Sequence, residues 1–224
     1  GGLRYQWDSE SLPWSPNWFG PIGSIVQQKC DGCTINGIYS GEGSWGKMTW
    51  RAGVNYNFTA DSLLYVSVAT GYKQGGFAAK ATEPFNPNYG PENLTNYELG
   101  WKSSLLNHRV QINADAFYMD YKDYQAGATL VLANGNKALL TVNAGTATIK
   151  GIELESAFLA TPYDQVTLSA TALDAVFTHF YLPGGDGYGP VAGSVPTDYT
   201  GNQLPYAPHL AGRLDYQHTF VLGD

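Results

Sequence analysis

Lys47-Met48-Thr49-Trp50-Arg51-Ala52-Gly53-Val54-Asn55-Tyr56-Asn57-Phe58 alternates without a break. Its even positions, from Met48 to Phe58, are apolar, and the odd positions Thr49, Arg51, Gly53, Asn55 and Asn57 are polar or small. Successive side chains of a strand point to opposite faces, so this period of two predicts a strand with one apolar and one polar face. Soluble strands run to about five or six residues, whereas a tilted strand that crosses a bilayer needs about 9–11. The length of this run suits the second.

The same period recurs on both sides of it. Leu64, Val66, Val68, Thr70 and Tyr72 share one face of a second strand, and Tyr97, Leu99, Trp101, Ser103 and Leu105 of a third. Val110, Ile112, Ala114, Ala116 and Tyr118 follow, then Ile152, Leu154 and Phe158, then Val166, Leu168, Ala170 and Ala172, and last Leu210, Leu214, Tyr216 and Phe220. Leu3, Tyr5 and Trp7, alternating with Arg4 and Gln6, form part of one more, giving seven full strands and a partial one. In one place the phase slips. Phe117 and Met119 fall on the polar face of their strand and predict a bulge.

Arg51, Lys73, Glu98, Lys102, Asp115, Glu153, Glu155, Arg213 and Asp215 all take the polar face. None sits mid-way along the apolar face, where a basic residue facing lipid would cost about 2–4 kcal/mol. Tight joints at 59–62, 106–109 and 160–164 alternate with long ones at 74–94, 127–142 and 178–208, after a further long stretch at 8–46. In an up-and-down sheet this puts every short turn at one end and every long loop at the other. An outer-membrane barrel, with short periplasmic turns and long extracellular loops, has that asymmetry. The predicted fold class is therefore all-β, a transmembrane antiparallel up-and-down β-barrel. A soluble β-sandwich, also two-faced, stays open as the alternative.

Composition narrows the classes further. Of 224 residues, 14% are charged, against about 25% in an ordinary soluble domain. The 43% that are hydrophobic supply ample surface to bury, which argues against disorder. With 12 Lys+Arg against 19 Asp+Glu and no basic cluster, a nucleic-acid partner is disfavoured. No run of 18 apolar residues is present to form a membrane-spanning helix, and Gly1-Gly2-Leu3-Arg4-Tyr5 has no features of a secretion signal.

Five segments, taken in order, resemble one family. They are Gly71-Tyr72-Lys73-Gln74-Gly75-Gly76-Phe77; Pro91-Glu92 with Asn96-Tyr97-Glu98-Leu99-Gly100-Trp101-Lys102-Ser103; Ala116 to Gln125; Asn143-Ala144-Gly145 with Lys150-Gly151-Ile152-Glu153-Leu154-Glu155; and Gly201-Asn202-Gln203-Leu204-Pro205 with Ala207-Pro208. Together they are similar to strands of TonB-dependent outer-membrane receptors of the siderophore-receptor type. The resemblance implies a barrel of roughly 22 strands, filled by a plug domain. Residues 1–224 would be part of that one barrel domain, about eight strands of it, with the plug and the C-terminal strands absent. It also implies a multi-pass location in a Gram-negative outer membrane. The implied function is active import of a ferric siderophore or similar scarce nutrient, energised through TonB. Implied partners are outer-membrane lipid, the plug and remaining strands of the same receptor, the TonB complex through the plug, and a small metal chelate as cargo. The alternative is a self-contained small barrel serving as an adhesin or envelope anchor without transport.

The residues that could carry chemistry are few. Cys30 and Cys33 form a C-x-x-C in a Gly- and Ser-rich setting, without the second ligand pair a zinc site needs. In an oxidising compartment they are expected to form a small disulfide. The four histidines have no ligand spacing. Glu153 and Glu155 share a face, yet there is no nucleophile elbow or phosphate loop, so no enzyme and no catalytic residue is expected. No cofactor is implied beyond a cargo iron chelate, and no resident metal site.

Loop aromatics are the better candidates, since concave ligand sites are lined by aromatic faces with a few polar groups. Trp14, Trp18 and Trp45, with Tyr89 and Tyr181, are the expected ligand-binding aromatics. Arg51 and Lys73, inward by phase, are the basic residues expected to meet an anionic chelate. For any one aromatic, packing of the loops against one another is the plainer role.

Overall fold

The computed structural model describes residues 1–12, 34–35, 38–39, 41–77, 88–131, 137–143, 145–182 and 197–221. Eight strands make one antiparallel sheet: β1 (Gly2–Leu12), β2 (Gly41–Thr59), β3 (Ser62–Lys73), β4 (Glu92–Leu105), β5 (Val110–Lys122), β6 (Thr146–Thr161), β7 (Asp164–His179) and β8 (Leu210–His218). Their order in the sheet is their order in the chain, an up-and-down meander.

The register keeps the two faces apart from strand to strand. Val54, Val66, Leu99, Ala116, Ile152, Ala172 and Leu210 form one apolar row across seven strands. Beside it, Asn55, Tyr65, Gly100, Asp115, Glu153 and Thr171 form a row on the other face. The polar face is the crowded one, with Ser67 4% exposed, while Val66 and Leu99 are 53% and 54% exposed. Side chains crowd on a concave face and splay on a convex one, so the sheet curls with its polar face inward. Val54 and Ile152 on the apolar face are likewise well exposed, 73% and 60%, as on the outer side of a barrel wall and unlike the packed inner face of a sandwich.

Apolar residues cover the convex face from Met48 to Phe58 on β2, ten residues apart. At about 3.4 Å per residue and a tilt near 40° that run is about 26 Å tall, matching the apolar band of about 25 Å on a membrane barrel. Directly above Ile152 and Ala172, Lys150 and Asp174 pair outward at 3.3 Å and mark the upper edge of the band. Lower down, Ser62 and Ser103 share a 2.6 Å hydroxyl hydrogen bond, leaving neither unpaired.

The predicted bulge at Phe117 and Met119 is absent, because β5 pairs with β4 and β6 without a register shift. The reason lies on the inner face. A Cβ on Gly151, the cross-strand partner of Phe117, would stand 2.9 Å from Phe117 Cζ, so the ring occupies the space the glycine leaves. Towards the extracellular end that face turns apolar altogether. Ala147, Ala175, Phe177, Phe180 and Leu204 form the buried core there, flanked by Ile149, Leu173 and Tyr121.

The strands also run further out than the alternation predicted. The β1–β2 ladder continues to Leu12 and Gly41, inside the stretch read as the loop 8–46. Within 74–94, Gly76–Phe77 pair with Asn88–Tyr89. The stretch 127–142 belongs to a hairpin, Gln125–Val131 against Lys137–Asn143, and within 178–208 Tyr181–Leu182 pair with Thr197–Asp198. Above the membrane no face must meet lipid, so these ladders need no period of two.

Candidate functional site

At the extracellular end of the inner face, the joint after β3 is clamped from three sides. A Cβ on Gly75 would lie 2.6 Å from Trp45 Nε1 and 2.5 Å from the Tyr89 carbonyl. One on Gly76 would run into the Tyr89 hydroxyl and stand 3.1 Å from Glu10 Oε2. The glycine pair thus lets Trp45 on β2, Tyr89 and Glu10 on β1 close on the backbone itself. Two expected ligand aromatics, Trp45 and Tyr89, are brought together here.

Next to this clamp a polar network binds four separate chain segments. Gln125, only 8% exposed, donates its backbone N–H to Glu92 Oε2 at 2.7 Å. Its side-chain amide donates to the carbonyls of Gln74 at 2.7 Å and Gly90 at 3.0 Å. Asn143 accepts from Gly90 N at 2.5 Å and donates to the carbonyls of Gly90 at 2.9 Å and Asp123 at 2.8 Å. Asp123 takes a left-handed conformation, φ 55°, of the kind Asp and Asn adopt most readily. These four segments are the ends of two connections, 74–92 and 125–143.

A chain of ring contacts rises beside the network. Tyr121 meets Tyr124 edge-on at 5.6 Å, Tyr124 meets Phe177 at 5.6 Å, Phe177 meets Phe180 at 4.6 Å, and Phe180 meets Tyr199 at 5.1 Å. Burial, with Glu92 nearby, holds the Tyr124 hydroxyl above its ordinary pKa. Tyr181 stands just outside this column, 49% exposed and paired with Asp198. Two hydrogen bonds from Thr200 keep the Asp198 carboxyl below the usual range.

Further down the inner wall, Arg51 lines a cavity of about 500 Å³ with Gly1, Gly2, Gly53, Asn55, Tyr65 and Ser67. Tyr65 donates to Glu98 at 2.6 Å, and Lys102 lies 5.7 Å over the Tyr65 ring. Glu98 and Asp115, with Glu153 and Glu155, make this part of the wall acidic, with Glu153 directly across from Asp115. Lys73 is exposed at the last β3–β4 pair, opposite Glu92.

Of the expected ligand-binding residues, then, Trp45 and Tyr89 both close on the Gly75–Gly76 backbone, Lys73 lies two residues before Gly75, and Arg51 and Tyr181 stand apart. Trp14, Trp18 and the expected Cys30–Cys33 disulfide lie outside the described residues. No group of three His, Cys, Asp or Glu suited to a metal occurs among the described residues. Reading residue by residue missed Gln125, Asn143, Glu92 and Gly90 as a unit. Part of their signal was present, because Glu92, Gln125 and Asn143 each stand at an end of a segment quoted above for its resemblance, and Gly90 directly precedes one.

A family model described as "TonB dependent receptor-like, beta-barrel" matches residues 1–224. The chain belongs to that family. Its members are receptor barrels of the Gram-negative outer membrane and not enzymes, and this TonB-dependent receptor segment shares that location. It is 24% identical over 211 residues to the pesticin receptor of Yersinia enterocolitica, covering 93% of this chain and 26% of that protein. With the ferric-pyoverdine 358 receptor of Pseudomonas putida it shares 31% identity over 111 residues, 49% of this chain and 13% of that one. The solved ferric yersiniabactin uptake receptor of Yersinia pestis superposes with a TM-score of 0.60 at 21% identity, over 80% of this chain and 24% of that one. A siderophore receptor of Acinetobacter baumannii gives 0.55 at 20% identity, over 80% and 25%. The receptor segment thus spans about a quarter of the length of the curated relatives that match it along most of its length. The solved neighbours bear out the fold, a curled antiparallel portion of a larger barrel.

Proposed function

We propose that this chain forms wall and extracellular rim of a receptor that binds a ferric siderophore, or a similarly scarce nutrient, and imports it with energy supplied through TonB. What carries the reading is the pairing of an apolar convex face with a polar concave wall beneath a braced rim of aromatics. A wall of this kind needs lipid outside and a filled lumen inside. The open edges of β1 and β8 take the remaining strands of the receptor. Acids at Glu98, Asp115, Glu153 and Glu155 face the lumen and pair with basic residues of a plug domain, through which TonB acts. Trp14, Trp18, Trp45, Tyr89 and Tyr181 are the aromatic candidates for ligand contact, and Arg51 and Lys73 the basic ones. The cargo chelate brings the metal, and no cofactor is required.

Uptake of radioactive iron carried on yersiniabactin or on pyoverdine, in cells lacking and then regaining the gene, tests this. Restored uptake of either supports a transporter. Equal uptake with and without the gene contradicts it and favours an adhesin or envelope anchor.

A further inference from the structure

The network of Gln125 and Asn143 does more than satisfy buried polar groups. Gly90 is its centre, with an N–H that donates to Asn143 and a carbonyl that accepts from both side-chain amides, at 2.9 Å and 3.0 Å. Both lone pairs of that oxygen are used, so neither amide has a spare acceptor there. Gln125 adds the two far ends of the 74–92 connection by donating its side-chain amide to the Gln74 carbonyl and its backbone N–H to the Glu92 carboxylate. Asn143 closes the base of the 125–143 hairpin by bonding Asp123, and Tyr124 N–H donates to the Gly145 carbonyl at 2.9 Å beside it. Two connections that leave the sheet between different strands are therefore fastened at one residue, Gly90, through the two peptide groups that flank its Cα.

We propose that Gln125 and Asn143 are positioning residues that clasp the described ends of the 74–92 and 125–143 connections to each other, so that Tyr89, the expected ligand aromatic beside Gly90, keeps one fixed placement at the rim. The ligand part rests on the receptor reading above, and the mechanical part does not. Amide side chains suit the task, since the Asn143 amide both donates and accepts and the Gln125 amide donates to two carbonyls. Gln125→Glu and Asn143→Asp keep the shape but cannot donate to the carbonyls.

The test uses the full-length receptor in lipid vesicles, read by backbone hydrogen exchange. Either variant is expected to speed exchange at 88–92 and at 137–143 together, by roughly tenfold, the scale of losing a net hydrogen bond, while 97–105 stays unchanged. The double variant is expected to exchange no faster than the faster single one, as members of one unit do. Acceleration confined to the substituted connection, or two effects that add, overturns the clasp. Uptake of ferric yersiniabactin or ferric pyoverdine is measured alongside, with a raised KM and an unchanged maximal rate expected of both variants. A lowered maximal rate at unchanged KM contradicts the presentation of ligand groups. If the unaltered receptor imports neither chelate, the receptor reading fails, while the exchange result still decides the clasp.

Discussion

Gly151 on the inner face of β6 and Gly212 on the outer face of β8 show how differently two glycines of one sheet are constrained. A Cβ at Gly151 would lie 2.5 Å from the Ala172 carbonyl oxygen, a backbone atom, as well as against the Phe117 ring. At Gly212 the nearest atom would be Ser169 O at 3.5 Å, an ordinary contact. Gly151→Ala is therefore expected to destabilise the barrel by about 1–3 kcal/mol, the scale of overpacking. Gly212→Ala is expected to stay within about 0.5 kcal/mol, and urea unfolding in detergent micelles measures both. Tyr65→Phe removes the donor to Glu98 and should cost up to about 1.5 kcal/mol in the same assay, because lumen water partly replaces the bond. Single residues were also where the sequence said least. Trp45 and Tyr89 looked alike as loop aromatics, and only the fold shows both resting on Gly75 and Gly76. Gln125 and Asn143 carry no periodicity at all. Their role comes from four segments meeting in space, which linear spacing cannot express.

Elements were far more legible, because lipid imposes a strict period of two on every strand it touches. Val54 and Asn55 are neighbours in β2 with opposite surroundings. Val54→Lys is expected to cost about 2–4 kcal/mol of stability and to lower assembled receptor in the envelope. Asn55→Lys, on the lumen side, should change neither by a measurable amount in the same unfolding and membrane-fraction assays. Where the lipid constraint stops, legibility stopped with it. The ladder from Asp8 to Leu12 against Gly41 to Trp45, and most of the hairpin from Gln125 to Asn143, lie above the apolar band, and their residues 8–12, 41–45 and 127–142 were read as loop. Phe117 misled for a related reason. Its face turns from polar to apolar as β5 climbs towards Tyr121, which changes the residue type without changing the register.

For the molecule as a whole, the eight strands form an open, curled wall whose short turns hold one another. Arg109 donates to the carbonyls of Leu159, at 3.0 Å, and Ala160, and His108 faces Asp61 at 3.9 Å, so three periplasmic turns are linked. At the opposite end the aromatic column and the amide clasp brace the bases of the long connections. Side-chain ties thus join the turns and connections at both rims, while the faces of the mid-section depend on what solvates them. On the convex side that solvent is hydrocarbon. Spin labels placed singly at each position from 48 to 58, with Cys30, Cys33 and any other native cysteine replaced by serine, test it in the full receptor in lipid vesicles. Accessibility to molecular oxygen should peak at 48, 50, 52, 54, 56 and 58, with a polar nickel reagent excluded from those sites. Equal access of the nickel reagent to even and odd positions would contradict it.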